Sequence, residues 1–248
     1  PEINALLLEL AHRGLKVARL KGGDPCLFGR GGEEALYLTE NGVSCEIVPG
    51  LTSGLAGLEY AGIPPTHRGL AASLKLVTAH EDPDKHSGFL DWSLLARESG
   101  TLVFLMGAGR IARIAENLMT EGMDPATPCA LIENATLPNQ RRVLATLASL
   151  GQAAQEQTIV SPCLIVVGQV ASLGEKLYAP ASKPLSGRRI LLTRPAHLSP
   201  ASCALFAAAG ARASTLTMIW PPAGSTQAGL LTTVPKLKAM RSFRPLTT

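Results

Sequence analysis

The sequence predicts an α/β fold from two observations. Short strand-like segments alternate along the chain with segments of helical apolar spacing, which is the pattern of helices packed on a sheet. One predicted strand, 164–167, is continuously apolar, as strands covered on both faces tend to be. We therefore expect a sheet that is covered on both sides along at least part of its width.

The N-terminal region predicts an initial helix followed by a β-loop-α-β order. The helix over 2–13 has apolar residues at helical spacing and ends at Gly14. A strand at 16–20 then leads into a glycine-rich loop. A second helix begins near Gly32 with acidic residues in its first turn, where the helix dipole favours them, and a strand follows at 45–48.

The same alternation continues as far as residue 177. The predicted elements are a helix at 52–60, strands at 73–78 and 101–106, a helix at 110–121, and strands at 129–133, 142–146 and 164–167. The apolar residues of the helix at 110–121 form one stripe, made of Ile111, Ile114, Ala115, Leu118 and Met119. That stripe favours packing in the core over a role in binding.

The composition is that of a globular protein with enough residues for a sizeable core. The chain has 248 residues, 46% of them hydrophobic, and a formal net charge of +4. Its lysines and arginines are scattered, without the dense basic stripe that binding to a phosphate backbone requires. We therefore expect no nucleic-acid partner.

The cysteines favour a reducing cytoplasm. Five cysteines stand far apart, with neither a CxxC pair nor metal-ligand spacing to histidine. No apolar run approaches the roughly 18 residues that span a bilayer, and the N-terminus lacks the order of a signal peptide. We expect a cytoplasmic enzyme with no metal site and no membrane segment.

A change in composition predicts a domain boundary. Residues 178–187, YAPASKPLSG, are rich in proline, serine and alanine and have the composition of a linker. Beyond them, a strand at 189–193, a helix at 200–209 and a strand at 212–219 begin another βαβ unit. Residues 223–248 carry no recognisable motif and stay unassigned.

The loop after the predicted strand at 16–20 is a candidate ligand-binding loop. Gly22 and Gly23 let the backbone approach a ligand closely, and Asp24 can accept a hydrogen bond from a hydroxyl or an amine. The alternative is a tight turn in which Asp24 only caps backbone amides.

A second glycine cluster, GRGGEE at 29–34, is compatible with a phosphate cradle or with a plain helix start. The lysine and hydroxyl residue of a Walker motif are missing, and Glu33 and Glu34 would repel a phosphate. The plainer interpretation is that both carboxylates interact with the dipole of the next helix.

Other polar candidates follow turns and strand ends. His67 and Arg68 come after a double proline, where they are either a solvated pair or a grip for an anionic substrate, since arginine binds carboxylates bidentately. Met106 and the segment 133–136 end predicted strands, at the edge where open α/β sheets bind ligands. Methionine at such a place is more often core than cofactor contact.

Six segments, taken in order, resemble the uroporphyrinogen-III C-methyltransferase family. They are VARLKGGDPCLFGRGGEE, VPGLTSGLAGLEYAGIPPTHRG, SLKLVTAH, TLVFLMG, IENATLPNQRRVLATL and SPCLIVVGQVASL. The resemblance covers about 1–177, and the glycine motifs with THR distinguish this family from precorrin-methylating and diphthine-synthase relatives that share the fold. It implies conversion of uroporphyrinogen III to precorrin-2 with S-adenosylmethionine as cofactor and S-adenosylhomocysteine as product, on the way to siroheme or cobalamin.

The resemblance also implies a two-domain tetrapyrrole methylase fold, with domains at 1–65 and 66–177, a cofactor cleft between them, and usually a homodimer. Ser53 and Ala135 stand where relatives often carry alanine and glycine, so backbone contacts are expected there. The positions that match cofactor-contacting ones are Gly22, Gly23, Asp24, Leu27, Thr52, Ser53, Met106 and Ala135.

For the substrate, Arg30, Glu33 and Arg68 match positions that relatives use around the tetrapyrrole, and His67 is a fourth candidate beside them. Arg30 is the candidate catalytic residue, for assisting proton removal. Because arginine normally stays protonated, we expect it to stabilise developing charge or to orient a propionate.

Two departures from the family pattern lead to further expectations. Relatives begin with a GxGPGD loop and a strand-helix segment that supply cofactor contacts, and this sequence starts after them, so the first domain is expected to be incomplete. The alternative to an active methyltransferase is therefore a catalytically incomplete fragment that binds or dimerises. Residues 188–222 resemble the opening of uroporphyrinogen-III synthase, which implies a fusion with a partial, inactive synthase-like segment.

Overall fold

A five-stranded sheet forms the centre of the first of two structural units, Pro1–Ala179, and a two-stranded sheet lies in the second, Pro180–Thr248. The computed structural model describes residues 2–79, 90–177, 184–185, 188–192 and 199–215. The predicted linker at 178–187 lies outside the described residues except for 184–185, and the tail at 223–248 lies wholly outside them.

Most predicted elements of the first unit are confirmed to within one residue at each end. The helices are α1 Glu2–His12, α2 Gly31–Glu40, α3 Ser53–Tyr60, α4 Trp92–Ala96, α5 Ile111–Thr120, α6 Leu150–Glu156 and α7 Gly174–Leu177. The strands are β1 Leu74–Thr78, β2 Thr101–Leu105, β3 Pro128–Glu133, β4 Arg141–Thr146 and β5 Cys163–Val167. The short helices α4, α6 and α7 were not predicted, since four to seven residues carry too little periodicity to be recognised.

The strands predicted at 16–20 and 45–48 are wrong. Neither segment is hydrogen-bonded into a sheet within the described part of the chain. Their apolar side chains stay in solvent, with Leu20 85% and Val48 72% exposed. A strand is stabilised by pairing and by packing of its faces, so residue preference alone does not produce one.

The sheet is mixed, with strand order β1-β2-β5-β3-β4. Strands β1 and β2 are parallel, whereas β5 is antiparallel to both β2 and β3, and β4 is antiparallel to β3. Because β2 and β3 both oppose β5, they run in the same direction without touching. The carboxyl ends of β1, β2 and β3 therefore meet at one edge of the sheet.

Helices and loops cover this sheet on both faces, because successive residues of a strand point to opposite sides. Phe104 of β2 belongs to the buried cluster that contains Leu118 of α5, whereas the neighbouring Val103 belongs to the cluster that contains Leu58 of α3. Strand β5 is buried at every residue, as its apolar run predicted. The stripe of α5 is confirmed too, with Ile111, Ile114, Ala115 and Leu118 buried and Met119 half-buried.

The first 65 residues bury much less. In α1 the buried residue is Leu7. This region packs on the sheet through α3 and Ile63, which belong to the same buried cluster as Val103. The region also presents many exposed apolar side chains: Ile3, Leu6, Leu15, Val17, Leu20, Phe28, Leu36, Ile47, Val48, Leu51 and Tyr60.

The second unit contains one βαβ arrangement. Strand β6 Arg189–Leu192 is parallel to β7 Arg212–Thr215, and α8 Ser199–Ala208 connects them. These elements confirm the predicted βαβ start, although residue 193 of the predicted first strand and residues 216–219 of the predicted last strand lie outside the described residues. None of the described helices has the length and apolar character that a bilayer span requires.

Candidate functional site

A cavity of about 390 Å³ opens at the sheet edge where β2 and β3 end. Its volume falls in the range of small-molecule sites, about 300 to 1,000 Å³. Loop 22–29, the start of α3, the end of β2 and the segment after β3 line it. The lining includes all eight residues that the sequence assigned to the cofactor: Gly22, Gly23, Asp24, Leu27, Thr52, Ser53, Met106 and Ala135.

Sequence reasoning missed six further lining residues: Phe28, Gly29, Leu51, Ala56, Leu105 and Thr136. Each lies within three residues of an assigned one. The signal that could have found them is therefore proximity within the same motifs. Their side chains are mostly small or apolar, and Asp24 is the one charged residue of the lining.

Asp24 organises the two loops on one side of the cavity. Its Oδ1 accepts hydrogen bonds from the backbone amides of Cys26 at 2.9 Å and Leu27 at 3.0 Å, and its Oδ2 accepts one from Gly50 at 3.2 Å. These three bonds, of which the one from Gly50 has the largest effect, hold the pKa of Asp24 below its ordinary value because they stabilise the carboxylate. Asp24 thus caps backbone amides, as the alternative interpretation proposed, and also lines the cavity.

Glycines let these loops pack backbone against backbone. A Cβ on Gly50 would lie 2.0 Å from the carbonyl oxygen of Gly23, and one on Gly31 would lie 2.5 Å from that of Pro25. Gly23 also has a φ of 73°, which disfavours other residues. The glycines of the motif therefore serve the packing of the loops as well as any approach to a ligand.

Left-handed backbone at non-glycine residues is concentrated around the cavity. Of the six such residues in the described part of the chain, Phe28, Met106 and Thr136 line the cavity, and Arg30 and Asn134 are close to them in sequence. This conformation is unfavourable for residues with a Cβ and persists only where the surroundings impose it. Its concentration here is typical of a functional site.

Helix α3 starts at the cavity and packs tightly beneath it. Thr52 has extended backbone, and its hydroxyl accepts a hydrogen bond from the amide of Gly54 at 3.2 Å, which caps the helix. A Cβ on Gly57 would lie 3.0 Å from the Cβ of Ala135 and 2.5 Å from Leu164. The small residue at 57 therefore lets α3 approach the segment after β3.

The four substrate candidates do not line the cavity. Arg30 is the N-cap residue that precedes α2, and its Nε and Nη2 donate to Glu33 Oε2 at 3.0 and 2.8 Å, with both side chains exposed. This bond raises the pKa of Arg30 above its ordinary value, which disfavours a role in accepting a proton. His67 and Arg68 lie in an exposed turn closed by the bond from the His67 amide to the Ala71 carbonyl, 3.0 Å.

A phosphate cradle at the start of α2 is disfavoured. Glu34 accepts hydrogen bonds from Lys21 Nζ at 2.8 Å and from Arg19 Nη2 at 3.3 Å, so both cations already have an anionic partner. The Lys21 bond is the largest cause of the lowered pKa of Glu34. Glu33 likewise engages Arg30, so the cations near the first turn of α2 are held by carboxylates with which a phosphate would have to compete.

Comparison with curated proteins identifies several relatives. The porphyrin biosynthesis protein HemD of Ruminiclostridium josui is 47% identical over 200 residues, which are 80% of this chain and 39% of that protein. The S-adenosyl-L-methionine-dependent uroporphyrinogen III methyltransferase of Methanosarcina barkeri is 47% identical over 176 residues, 71% of this chain and 69% of the relative. The chain thus spans about two fifths of the length of the first of these relatives and about two thirds of the second.

Solved structures and family models agree. The crystal structure of uroporphyrin-III C-methyl transferase from Thermus thermophilus complexed with S-adenyl homocysteine has a TM-score of 0.60 and 42% identity. The match covers 69% of this chain and 74% of that one. The model of the family described as Tetrapyrrole (Corrin/Porphyrin) Methylases matches residues 1–151, more than half of the sequence. This chain therefore belongs to the tetrapyrrole methylase family.

Proposed function

We propose that this chain carries out S-adenosylmethionine-dependent C-methylation of uroporphyrinogen III to precorrin-2, in the biosynthesis of siroheme or cobalamin. The observation that carries the proposal is the convergence of all eight assigned residues, from four separate segments, on one cavity of ligand size. The activity for which the Methanosarcina relative is named and the S-adenyl homocysteine of the Thermus structure support it.

The lining suits an adenosyl ligand. Gly22, Gly23 and Ala56 leave room beside the backbone, and Phe28 and Met106 offer apolar surface to a flat ring. Asp24 retains acceptor capacity for a hydroxyl or an amine, because a carboxylate accepts about four hydrogen bonds and three are used here.

The work of these residues is mainly positioning. When bound, S-adenosylmethionine supplies an electrophilic methyl group on its sulfonium sulfur. The cavity's residues align the methyl group of the donor with the carbon of the tetrapyrrole ring that accepts it, and they exclude water from the reacting atoms. Alignment of this kind supplies up to about 7 to 11 kcal/mol of barrier reduction in favourable cases.

Asp24→Ala tests the proposed cofactor site. We expect at least a tenfold loss of S-adenosylhomocysteine affinity, about 1.4 kcal/mol or more, because three backbone amides of the lining loops lose their acceptor. Isothermal titration calorimetry measures it.

The matched control is Asp91→Ala, since Asp91 also accepts from a backbone amide, that of Leu94 at 2.9 Å, but does not line the cavity. Equal affinity in the wild type and Asp24→Ala would contradict the assignment. A wild-type chain that binds no S-adenosylhomocysteine would favour the alternative function, a binding or dimerising fragment without catalysis.

For the substrate, we propose that Arg30, Glu33, His67 and Arg68 form the recognition surface for the tetrapyrrole, with Arg30 and Arg68 as the groups that bind its carboxylates. Arg30 and Glu33 are both more than 60% exposed, and exposed ion pairs contribute little stability, so a substrate carboxylate can displace Glu33 from Arg30. Arg30 then acts as a permanent cation that orients a propionate or stabilises developing charge.

Arg68→Ala separates substrate recognition from cofactor binding. We expect uroporphyrin III, a fluorescent stand-in for the substrate, to bind about tenfold more weakly, because a charge-assisted hydrogen bond contributes about 1.5 to 3 kcal/mol. Affinity for S-adenosylhomocysteine should stay unchanged. Fluorescence titration measures the affinity for uroporphyrin III, and calorimetry measures the affinity for S-adenosylhomocysteine. The control is Arg13→Ala, which removes an exposed arginine that is not assigned to the substrate. Equal losses for both ligands would refute the role of Arg68.

We also propose that the chain is organised as domains at 1–65 and 66–177, a linker at 178–187 and a synthase-like segment at 188–222. We propose further that it forms a homodimer and works in the cytoplasm. The alignment with the Ruminiclostridium protein covers 80% of this chain, which is more than the 179 residues of the first unit, so the similarity continues beyond that unit.

A further inference from the structure

Two side chains at the β3–β4 hairpin hold the C-terminal end of α3. Gln140 Nε2 donates to the carbonyl of Tyr60 at 3.2 Å, and Arg142 Nη1 donates to the carbonyl of Ala61 at 3.0 Å. Carbonyls at the end of a helix lack intrahelical partners and need others. The hairpin therefore fixes the end of the helix whose first turn lines the cavity.

Gln140 reaches a second wall of the cavity as well. Its Oε1 accepts a hydrogen bond of 2.7 Å from the backbone amide of Thr136, which lines the cavity. Thr136 has a φ of 68°, a conformation that threonine adopts only under constraint. The half-buried side chain of Gln140 thus connects the segment after β3 with α3. Helix α3 and its N-cap residue contribute Thr52, Ser53 and Ala56 to the lining of the same cavity.

An amide is the side-chain group that suits this bridge. Its oxygen accepts from one wall while its nitrogen donates to the other. A glutamate at 140 keeps an acceptor for Thr136 but turns a carboxylate towards the carbonyl of Tyr60. A leucine of similar size provides neither bond.

We propose that Gln140 is a positioning residue that sets the spacing of two walls of the cavity and thereby its affinity for the adenosyl ligand. The ligand's identity rests on the proposed function. The bridge that Gln140 forms does not depend on the proposed function, because its hydrogen bonds can be measured without any ligand.

The test compares Gln140→Glu and Gln140→Leu in the full chain, with Asn139→Asp as matched control. The control makes the same amide-to-acid change one residue away, at an exposed position. Calorimetry gives the affinity for S-adenosylhomocysteine, amide hydrogen exchange by NMR reports the bond at Thr136, and thermal unfolding reports global stability.

For Gln140→Glu we expect about tenfold weaker binding, a nearly unchanged melting temperature and retained protection of the Thr136 amide. For Gln140→Leu we expect a loss at least as large together with about tenfold faster exchange at Thr136. Asn139→Asp should match the wild type in all three measurements.

Wild-type affinity in Gln140→Glu, or an equal loss in Asn139→Asp, would overturn the positioning role. Unchanged exchange at Thr136 in Gln140→Leu would overturn the bridge. If the wild-type chain binds no S-adenosylhomocysteine, the proposed function fails, and exchange at Thr136 still decides whether Gln140 holds the two walls together.

Discussion

Gly50→Ala is expected to weaken S-adenosylhomocysteine binding by about ten- to a hundredfold. The new Cβ would lie 2.0 Å from the carbonyl oxygen of Gly23 and 2.7 Å from its carbonyl carbon. Both atoms are backbone, so relief requires one loop to move. Such overpacking typically costs about 1 to 3 kcal/mol, and here the displacement falls on Gly23 and Asp24, which line the cavity.

Calorimetry measures the affinity, and thermal unfolding shows whether the loss stays local. Gly32→Ala is the matched control, because Gly32 is exposed in α2, has an ordinary φ and has nothing within 4 Å of an added Cβ. Alanine there should be neutral or slightly stabilising, since it is the better helix former. Wild-type affinity in Gly50→Ala would mean that the contact between the two loops does not shape the cavity.

Glu133→Gln is expected to lower the free energy of unfolding by about 2 kcal/mol. Glu133 is only 2% exposed, and its Oε2 accepts from Arg141 Nε at 2.6 Å while its Oε1 accepts from the amide of Val160 at 2.9 Å. Arg141 also donates to the carbonyls of Gln157 and Thr158. The pair of Glu133 and Arg141 therefore joins β3, β4 and the loop before β5. Glutamine at 133 is uncharged, so the substitution removes the ionic part of this contact.

The contribution of Glu133 should depend on pH. The bond from Arg141, and then that from Val160, hold the pKa of Glu133 below its ordinary value of 4.5 in the folded protein. The unfolded state therefore binds the proton first as pH falls. The stability due to this carboxylate is complete above the unfolded pKa and is lost as pH falls through the folded one.

Chemical denaturation of wild type and Glu133→Gln at neutral pH and in acid measures this effect. The difference in unfolding free energy should be largest at neutral pH and should shrink below the ordinary carboxyl pKa. Glu33→Gln is the control, because its pair with Arg30 is exposed and should matter little at either pH. A difference that does not change with pH would show that the charge of Glu133 is not what stabilises the pair.

Local pattern was sufficient for most elements of the fold. The stripe of α5 and the apolar run of β5 reflect burial on one face and on two faces, and both are visible in the order of residues alone. The failures at 16–20 and 45–48 have the opposite cause. A strand exists only when another strand pairs with it, and pairing is not encoded within the segment itself.

The candidate site shows the same contrast between features within one segment and contacts between distant segments. The resemblance to the family's motifs named eight lining residues, whereas glycines, turns and strand ends by themselves indicated only the loop at 22–24, Met106 and the segment 133–136. The sequence left open whether Asp24 caps backbone amides, and it did not reveal that Asp24 accepts a bond from the distant Gly50 or that Gln140 connects Thr136 with Tyr60. These contacts join residues from separate parts of the chain, and their distances depend on how α3 and the hairpin pack on the sheet.

The sequence by itself determined the family, the α/β class and the loops that carry the candidate site. Only the tertiary structure decided how those loops combine. Met106 and Ala135 share a cavity because β5, antiparallel to both β2 and β3, makes these two strands point the same way. Composition and spacing report which residues prefer burial or turns, whereas strand direction and register arise from packing between distant segments.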